Sequence, residues 1–296
     1  FFWYNGSLFY TFFHSLMLCA LTFALKFLRA PTLGRSLACG LAAGALYFFL
    51  GGGNYPTALL TCVLLMGGFL WTLWKGLPLS RKLGTLAFFL LELMAFGISM
   101  LAPGNSVRQA HFENRPGAVK SILLALGAAV RNITEWTTLP LLLALRMSSP
   151  LFSKDLQKLS FRFPLPGLAP VAAVCLLGVL MTPPIYAMTN TGAGRTQDLY
   201  YDAFCLLAAG VVFYLCGWLT HLPAAKHAPQ KAREISAAFF LSVALFFVLS
   251  VCCTERFVDL TGVSALRSLI SREAQAYDYD QEGRVYTETT DSFLCP

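Results

Sequence analysis

Charge is scarce in this sequence of 296 residues. Asp, Glu, Lys and Arg together account for 12% of it, while hydrophobic residues account for 56%. A soluble globular domain carries about 25% charged residues, so this low share excludes an ordinary soluble fold. Long apolar runs recur along the chain, and a helix of about 20 such residues crosses the hydrocarbon core of a bilayer. The composition predicts an all-α protein, a polytopic transmembrane helical bundle whose first partner is the lipid bilayer.

The sequence also lacks the signatures of soluble enzymes. It contains no P-loop, no dinucleotide-binding GxGxxG, no HExxH and no GxSxG. Its nine cysteines form no CxxC pair and lie mostly inside apolar runs, which is typical of small packing residues rather than of metal ligands or disulfides. Function therefore has to be inferred from the few polar residues and from where the topology places them.

The hydrophobic pattern predicts eight membrane spans and a polar tail. The chain opens with the aromatic segment FFWYNGS, which resembles an interfacial loop, so we expect further helices to precede Phe1. Residues 1–253 form the predicted transmembrane domain, and residues 254–296 form a short, polar C-terminal tail. The predicted spans are residues 8–28, 36–52, 56–74, 83–101, 135–152, 167–188, 202–219 and 235–253.

Charge alternates between the connections of these spans. One set of connections carries thirteen basic residues against two acidic ones, Asp155 and Glu234. The positive-inside rule makes this set cytoplasmic and makes the other loops and the tail extracytoplasmic. Because this topology accounts for the formal net charge of +7, we predict no nucleic-acid partner. The basic residues are Lys26, Arg29, Arg35, Lys75, Arg81, Lys82, Arg146, Lys154, Lys158, Arg162, Lys226, Lys231 and Arg233.

The segment 118–134 has two interpretations. It is apolar but bracketed by Lys120 and Arg131, so it is either a helix lying along the outer surface or the start of one long span. A full extra crossing would place the C-terminal tail on the basic side of the membrane. We expect the surface-lying helix, because it preserves the alternation of charge.

Three short polar loops interrupt the apolar sequence: GGGNYP (51–56), APGNSVR (102–108) and TGAGRTQD (191–198). The topology places all three outside the membrane on the same side. A membrane protein that gathers Gly, Pro, Asn, Arg and Asp on one face has the material for a binding site there. Each loop also has a purely structural interpretation as a turn, a helix cap or a headgroup contact.

The loops supply the candidate site residues. Arg108 and Arg195 are predicted to hold an anionic headgroup, because the planar guanidinium binds phosphate through two parallel hydrogen bonds. Asp198 is the predicted general base or metal ligand, although Thr196 or Asp198 could instead cap the following helix. The remaining predicted substrate contacts are Asn54, Tyr55, Asn105 and Gln197.

Glu92 lies near the middle of the predicted fourth span. An ionisable residue inside a membrane span is costly, so it is a candidate for function, here a catalytic one. The alternative is a protonated or hydrogen-bonded packing residue. His14 in the first span is a weaker candidate of the same kind.

The motifs APGNSVR, TGAGRTQD and GGGNYP, together with the polar tail, resemble a bacterial membrane-protein family of the DUF6056 type. That family in turn resembles the GT-C glycosyltransferases, multi-spanning enzymes that take a sugar from a polyprenyl-phosphate carrier on the outer face. The resemblance implies a bacterial plasma-membrane location. It also implies phosphate contacts by Arg108 and Arg195, with Asp198 as a secondary acidic residue. These enzymes usually carry their key acid in the first outer loop, and no Asp or Glu precedes Glu92 here.

Three functions remain open on the sequence. The first is a GT-C-like glycosyltransferase with a polyprenyl-phosphate sugar donor and a glycan or lipid acceptor of the cell envelope. The second is a transporter or flippase of lipid-linked glycans, for which Glu92 and His14 would line a path. The third is a non-catalytic membrane scaffold. The sequence also leaves open whether a divalent metal takes part.

Overall fold

The computed structural model describes residues 7–105, 116–139, 141–145, 156, 163–188, 190–192 and 194–220. All regular structure in that part of the chain is helical, as predicted. A π-helical turn at Ser7–Thr11 leads directly into the first α-helix. The long α-helices are α1 (Phe12–Arg29), α2 (Leu33–Gly51), α3 (Tyr55–Trp74), α4 (Leu79–Met100), α5 (Ala118–Trp136), α6 (Leu168–Met188) and α7 (Gly194–Thr220).

Six helices of the described part are long and apolar enough to cross a membrane. They correspond to the predicted spans one to four, six and seven, so the chain is a multi-pass membrane protein. The last of these helices begins at Gly194 rather than at residue 202. The six stretches are Phe9–Arg29, Leu33–Gly51, Tyr55–Trp74, Leu79–Met100, Leu168–Met188 and Thr196–Leu219.

The predictions for the segment 118–134, the fifth and eighth spans and the tail have different outcomes. The helix expected over 118–134 is confirmed as α5, which continues through residue 135 and ends at Trp136, so the predicted fifth span does not begin at residue 135. The part of that span after residue 145, the whole eighth span and the tail lie outside the described residues. The count of eight spans and the surface position of α5 therefore stay predictions.

The six candidate spans expose large apolar side chains. Leu41 is 75% exposed, Leu101 is 85% exposed, and Trp74 at the end of α3 is 78% exposed. A helix that is apolar on its outer face as well as on its inner face suits a lipid surrounding. The side chains buried between the helices are a mixture of small, aromatic and large aliphatic residues, among them Ala43, Phe88 and Leu180.

The first four helices pack closely. Helix α2 packs against α1 and α4, α4 packs against α3, and α3 packs against α6. The closest approach is at Gly51, the last residue of α2, where a Cβ atom would lie 2.6 Å from the Glu92 backbone oxygen and 2.8 Å from the Ala95 Cβ. Only glycine allows this separation of the two backbones.

Arg81 joins three helices where the basic residues gather. Its guanidinium donates to the Phe27 carbonyl and the Ser36 hydroxyl, and to the Ala30 carbonyl at 2.9 Å. It also lies over the Phe27 ring at 4.9 Å from the centroid. The C-terminus of α1 and the N-termini of α2 and α4 therefore meet at one end of the bundle, which we call the basic end.

The chain divides into two compact units, Phe1–Asn132 with Gly167–Val211, and Ile133–Pro166 with Val212–Pro296. The second unit has its own core of Leu156, Phe163, Val212 and Cys216. There the Tyr214 hydroxyl donates to the Pro164 carbonyl. The predicted site residues that the structure describes all lie in the first unit.

Candidate functional site at the loop end

Asn54 closes the N-terminus of α3. Its Oδ1 accepts from the Thr57 backbone N–H at 2.9 Å, and its Nδ2 donates to the Phe9 carbonyl at 2.7 Å. The side chain is only 9% exposed. Asn is among the best N-cap residues because its oxygen satisfies a helix N–H that has no intrahelical partner. The predicted ligand contact is therefore engaged in linking α3 to the π-helical turn before α1.

Tyr55 and Asn105 converge on the end of α4. The Tyr55 hydroxyl donates to the Ser99 carbonyl at 3.1 Å, and the Asn105 Nδ2 donates to the same carbonyl at 2.8 Å and to the Met100 carbonyl at 3.1 Å. The last carbonyls of a helix lack intrahelical donors. The Ser99 carbonyl accepts from the Ala102 N–H at 3.3 Å, and these two side chains add further donors. Tyr55 also packs edge-on against Phe96, with ring centroids 6.0 Å apart.

The third loop folds back on the start of α7. Gly192 has φ of +91°, a conformation that favours glycine, and its N–H donates to the Asn190 Oδ1 at 2.9 Å. Gln197 Nε2 donates to the Thr191 hydroxyl at 2.9 Å. Because α7 begins at Gly194, Thr196 and Asp198 lie inside the helix and not at its N-cap. The predicted capping role of these two residues is wrong for that reason.

Asp198 is exposed, one turn before the partly buried Asp202 on the same helix. The two carboxylates lie within electrostatic reach of each other. Arg195 lies in the first turn of α7, but its side chain is outside what the structure describes, and Arg108 lies outside the described residues altogether. Over the described ranges, no group of three or more His, Cys, Asp or Glu side chains could hold a metal ion.

The three loops adjoin the same end of the first unit. Asn54 reaches the residues before α1, and Tyr55 and Asn105 share the Ser99 carbonyl. In α7, Tyr200 lies within electrostatic reach of Tyr10 in the π-helical turn. Segments more than a hundred residues apart in the sequence are therefore neighbours. We call this region the loop end, and it lies at the opposite ends of α1 to α4 from the basic end.

Glu92 lies below the loop end, between helices. It is 0% exposed, and neither carboxyl oxygen has a hydrogen-bond partner among the described residues. Tyr47 on α2 and Cys62 on α3 lie within electrostatic reach of it. His14 on α1 is also buried with both ring nitrogens unpartnered in the described structure. Glu92 therefore lies inside a candidate membrane span, as predicted, and the structure adds that its side chain is fully enclosed.

Sequence reasoning missed Tyr47 and the Ser99 carbonyl. Tyr47 stands in an apolar run and has the pattern of a packing aromatic, while a backbone carbonyl leaves no mark in a sequence. The only indication of Tyr47 in the sequence is its spacing of four residues from Gly51, because this spacing places both residues on one face of α2.

Comparison with known proteins adds no relative. Family models, curated proteins and solved structures give no match. The resemblance to the DUF6056 type and to GT-C glycosyltransferases therefore rests on the loop motifs and the tail of the sequence, and the function has to be argued from the geometry.

Replacing Asn54 with alanine should destabilise the first unit by roughly 2–3 kcal/mol. The change removes an N-cap, worth about 1 kcal/mol, and leaves the Phe9 carbonyl without its donor, worth about 1–2 kcal/mol. The measurement is the apparent melting temperature of the detergent-solubilised protein, followed by size-exclusion chromatography after heating.

Two variants separate the contributions at this position. Asn54→Asp retains the cap acceptor but loses the Nδ2 donor, so it should be destabilised by part of the alanine effect. Thr32→Ala removes the exposed and longer cap at the start of α2, 3.4 Å to the Arg35 N–H, and should change stability by less than about 1 kcal/mol. Equal losses for Asn54→Ala and Thr32→Ala would contradict the link to Phe9.

Proposed function

We propose that this chain is the membrane part of a glycosyltransferase that acts at the extracytoplasmic face. Its donor is a sugar linked to polyprenyl phosphate, and its acceptor is a glycan or lipid of the cell envelope. The observation that carries the proposal is that the first two polar loops share hydrogen bonds at one end of the helices, away from the basic end. The start of α7, which follows the third loop, lies near the same end, with Tyr200 within electrostatic reach of Tyr10. The positive-inside rule assigns the basic end to the cytoplasm, which turns the loop end outward.

A lipid-linked phosphate suits the loop end physically. Its phosphate lies at headgroup depth, where helices end and where guanidinium groups retain contact with water. Arg195 lies in the first turn of α7, and Arg108 follows the described part of the second loop in the sequence. Two arginines bind a phosphate better than two lysines do, because of their fork geometry. The caps made by Asn54, Tyr55 and Asn105 then hold the loops in place, and the phosphate is bound by the arginines.

Asp198 is the residue that we assign as general base. It is exposed at the start of α7, so an acceptor hydroxyl can reach it, whereas Glu92 is enclosed. Asp198 takes the proton of the acceptor hydroxyl, and that oxygen forms a bond to the anomeric carbon. The bond between this carbon and the phosphate oxygen breaks, and its electron pair leaves on polyprenyl phosphate, which the arginines stabilise.

The test separates binding from transfer. The full chain in lipid nanodiscs is titrated with polyprenyl phosphate and then given a polyprenyl-phosphate sugar and candidate acceptors. Arg108→Ala and Arg195→Ala should each weaken lipid-phosphate binding tenfold or more, as expected for loss of a charge-assisted bidentate contact. Asp198→Asn should retain binding and lose transfer by a factor of about 100 or more.

Arg35→Ala is the matched control, since Arg35 is an exposed arginine at the basic end. It should bind polyprenyl phosphate as the unmodified chain does. Equal weakening by Arg35→Ala, or unchanged binding in both loop variants, would refute the assignment of the phosphate site. Retained transfer in Asp198→Asn would refute the base.

A transporter or flippase is the second candidate. It is favoured by the two buried ionisable side chains Glu92 and His14, which have no hydrogen-bond partner in the described structure. Such groups inside spans often mark an ion or substrate path. Flux of a lipid-linked sugar across proteoliposomes, lost in Glu92→Gln and retained in Asp198→Asn, would favour this function over glycosyl transfer.

A further inference from the structure

Glu92 and Tyr47 are both completely enclosed, and in the described part of the chain both lack hydrogen-bond partners. Each is 0% exposed, and the two Glu92 carboxyl oxygens and the Tyr47 hydroxyl have no partner among the described residues. Most buried polar atoms in proteins are hydrogen-bonded, so unpartnered ones require an explanation, such as a bound water or ion. Here two of them occur together on neighbouring helices.

Three contacts align the part of α2 around Tyr47 with the part of α4 around Glu92. Gly44 approaches the Leu91 side chain, with a Cβ–Cδ1 separation of 3.4 Å for an added Cβ, and Gly51 approaches Ala95. Between these two points the Tyr47 ring lies 5.6 Å from the Phe88 ring, centroid to centroid. Tyr47 on α2 therefore faces the turn of α4 that carries Glu92, consistent with their electrostatic interaction.

Among the described residues, no positively charged group is shown to act on Glu92. The described titratable groups within its electrostatic reach are Tyr47 on α2 and Cys62 on α3, and neither carries a positive charge. Ala58, Cys62 and Phe96 form the apolar cluster beside it. An ionised carboxylate in such a place costs many kcal/mol unless it is paired, whereas a neutral carboxylic acid costs only the loss of its hydrogen bonds.

We propose that Glu92 and Tyr47 form a buried proton-binding site, in which the Glu92 carboxyl retains its proton and shares one bound water with the Tyr47 hydroxyl. The protonated carboxyl supplies one donor and the tyrosine a second, and a water can accept both. Buried waters of this kind typically make about three hydrogen bonds to otherwise unsatisfied groups. The site does not depend on the glycosyltransferase proposal, because neither side chain has a role in it.

Infrared spectroscopy tests the site directly. A protonated carboxyl has a C=O stretch distinct from those of carboxylates and amides. The full chain in nanodiscs at neutral pH should show one such band that disappears in Glu92→Gln and shifts in D2O, since water reaches the proton. In Tyr47→Phe the band should persist at a changed frequency, because its hydrogen bonding has changed. Asp198→Asn, an exposed carboxylate, should leave the band unaltered.

Stability supplies a second measurement. Gln has the shape of a neutral carboxyl, so Glu92→Gln should melt within a few degrees of the unmodified chain. A band that persists in Glu92→Gln would show that Glu92 is not the protonated carboxyl. A large loss of stability would show that its side chain makes contacts that glutamine cannot replace, and either result would overturn the proposal. A band that Tyr47→Phe leaves unchanged would overturn the shared water and the role of Tyr47.

Discussion

Alanine at position 51 is expected to force α2 and α4 apart and to destabilise the first unit by about 3 kcal/mol or more. The added Cβ would lie 2.6 Å from the Glu92 backbone oxygen and 2.8 Å from the Phe96 backbone nitrogen. Both contacts involve backbone atoms, which cannot rotate away as a side chain can. Overpacking a well-packed interior costs about 1–3 kcal/mol, and a clash between two helix backbones lies at or above the top of that range.

Neighbouring glycines provide the controls for Gly51→Ala. At Gly52 the nearest atom to an added Cβ is the Phe49 carbonyl oxygen at 3.7 Å, an ordinary contact, and at Gly97 inside α4 nothing lies within 4 Å. Gly52→Ala should therefore be nearly neutral. Gly97→Ala should be neutral or slightly stabilising, because alanine favours the helix by about 1 kcal/mol.

The melting temperature in detergent reports all three variants. Gly51→Ala should also change the infrared band of Glu92, since it moves the helix turn that carries this residue. A Gly51→Ala protein as stable as Gly52→Ala would show that the two helices are not in backbone contact at this point.

Replacing Arg81 with leucine is expected to loosen the basic end and to lower the free energy of unfolding of the first unit by roughly 3–5 kcal/mol. The guanidinium donates to the carbonyls of Phe27 and Ala30 and to the Ser36 hydroxyl, and hydrogen bonds from a charged donor contribute about 1.5–3 kcal/mol each. The same group lies over the Phe27 ring. Removing it takes the Arg81 donor from the Ala30 carbonyl, leaves the Phe27 carbonyl with the long bond from the Ala30 N–H at 3.4 Å, and removes the cation from the face of the Phe27 ring.

Arg81→Lys distinguishes geometry from charge. A lysine ammonium cannot satisfy three separated acceptors in one plane as a guanidinium can, so this variant should lose most of the stability that Arg81→Leu loses. Lys82→Ala, one residue away, retains the Arg81 contacts and should be close to neutral. The measurement is the melting temperature of these variants in the same detergent. An Arg81→Lys protein as stable as the unmodified chain would mean that the positive charge alone, and not the guanidinium geometry, stabilises the basic end.

The spans were the most predictable part of this fold. Long apolar runs separated by polar turns set the helix positions, because backbone hydrogen bonds inside a bilayer have to be made within each helix. The starts of α2 and α3 follow from Thr32 and Asn54, whose side chains accept the first free N–H groups. The start of α7 was missed by eight residues, since a polar first turn does not stand out in hydropathy.

The helix ends that carry the candidate site residues were predictable from the sequence, but the hydrogen bonds of these residues were not. Asn54, Tyr55 and Asn105 were singled out as polar residues near the membrane surface. The structure engages all three in hydrogen bonds to Phe9, Ser99 and Met100 carbonyls. Which polar residue satisfies which carbonyl depends on helix packing, so no local pattern could distinguish a cap from a ligand contact.

By itself the sequence determined that this is a membrane protein with helical spans and that Glu92 is an ionisable residue within one of them, because composition and hydropathy control partitioning into lipid. Only the tertiary structure decided that the helix ends bearing the loops meet and that Gly51 brings α2 against α4. It also decided that Tyr47 faces Glu92 in an enclosed space. These facts depend on how helices far apart in the chain approach one another, and the space between two backbones is not encoded in the hydropathy of either.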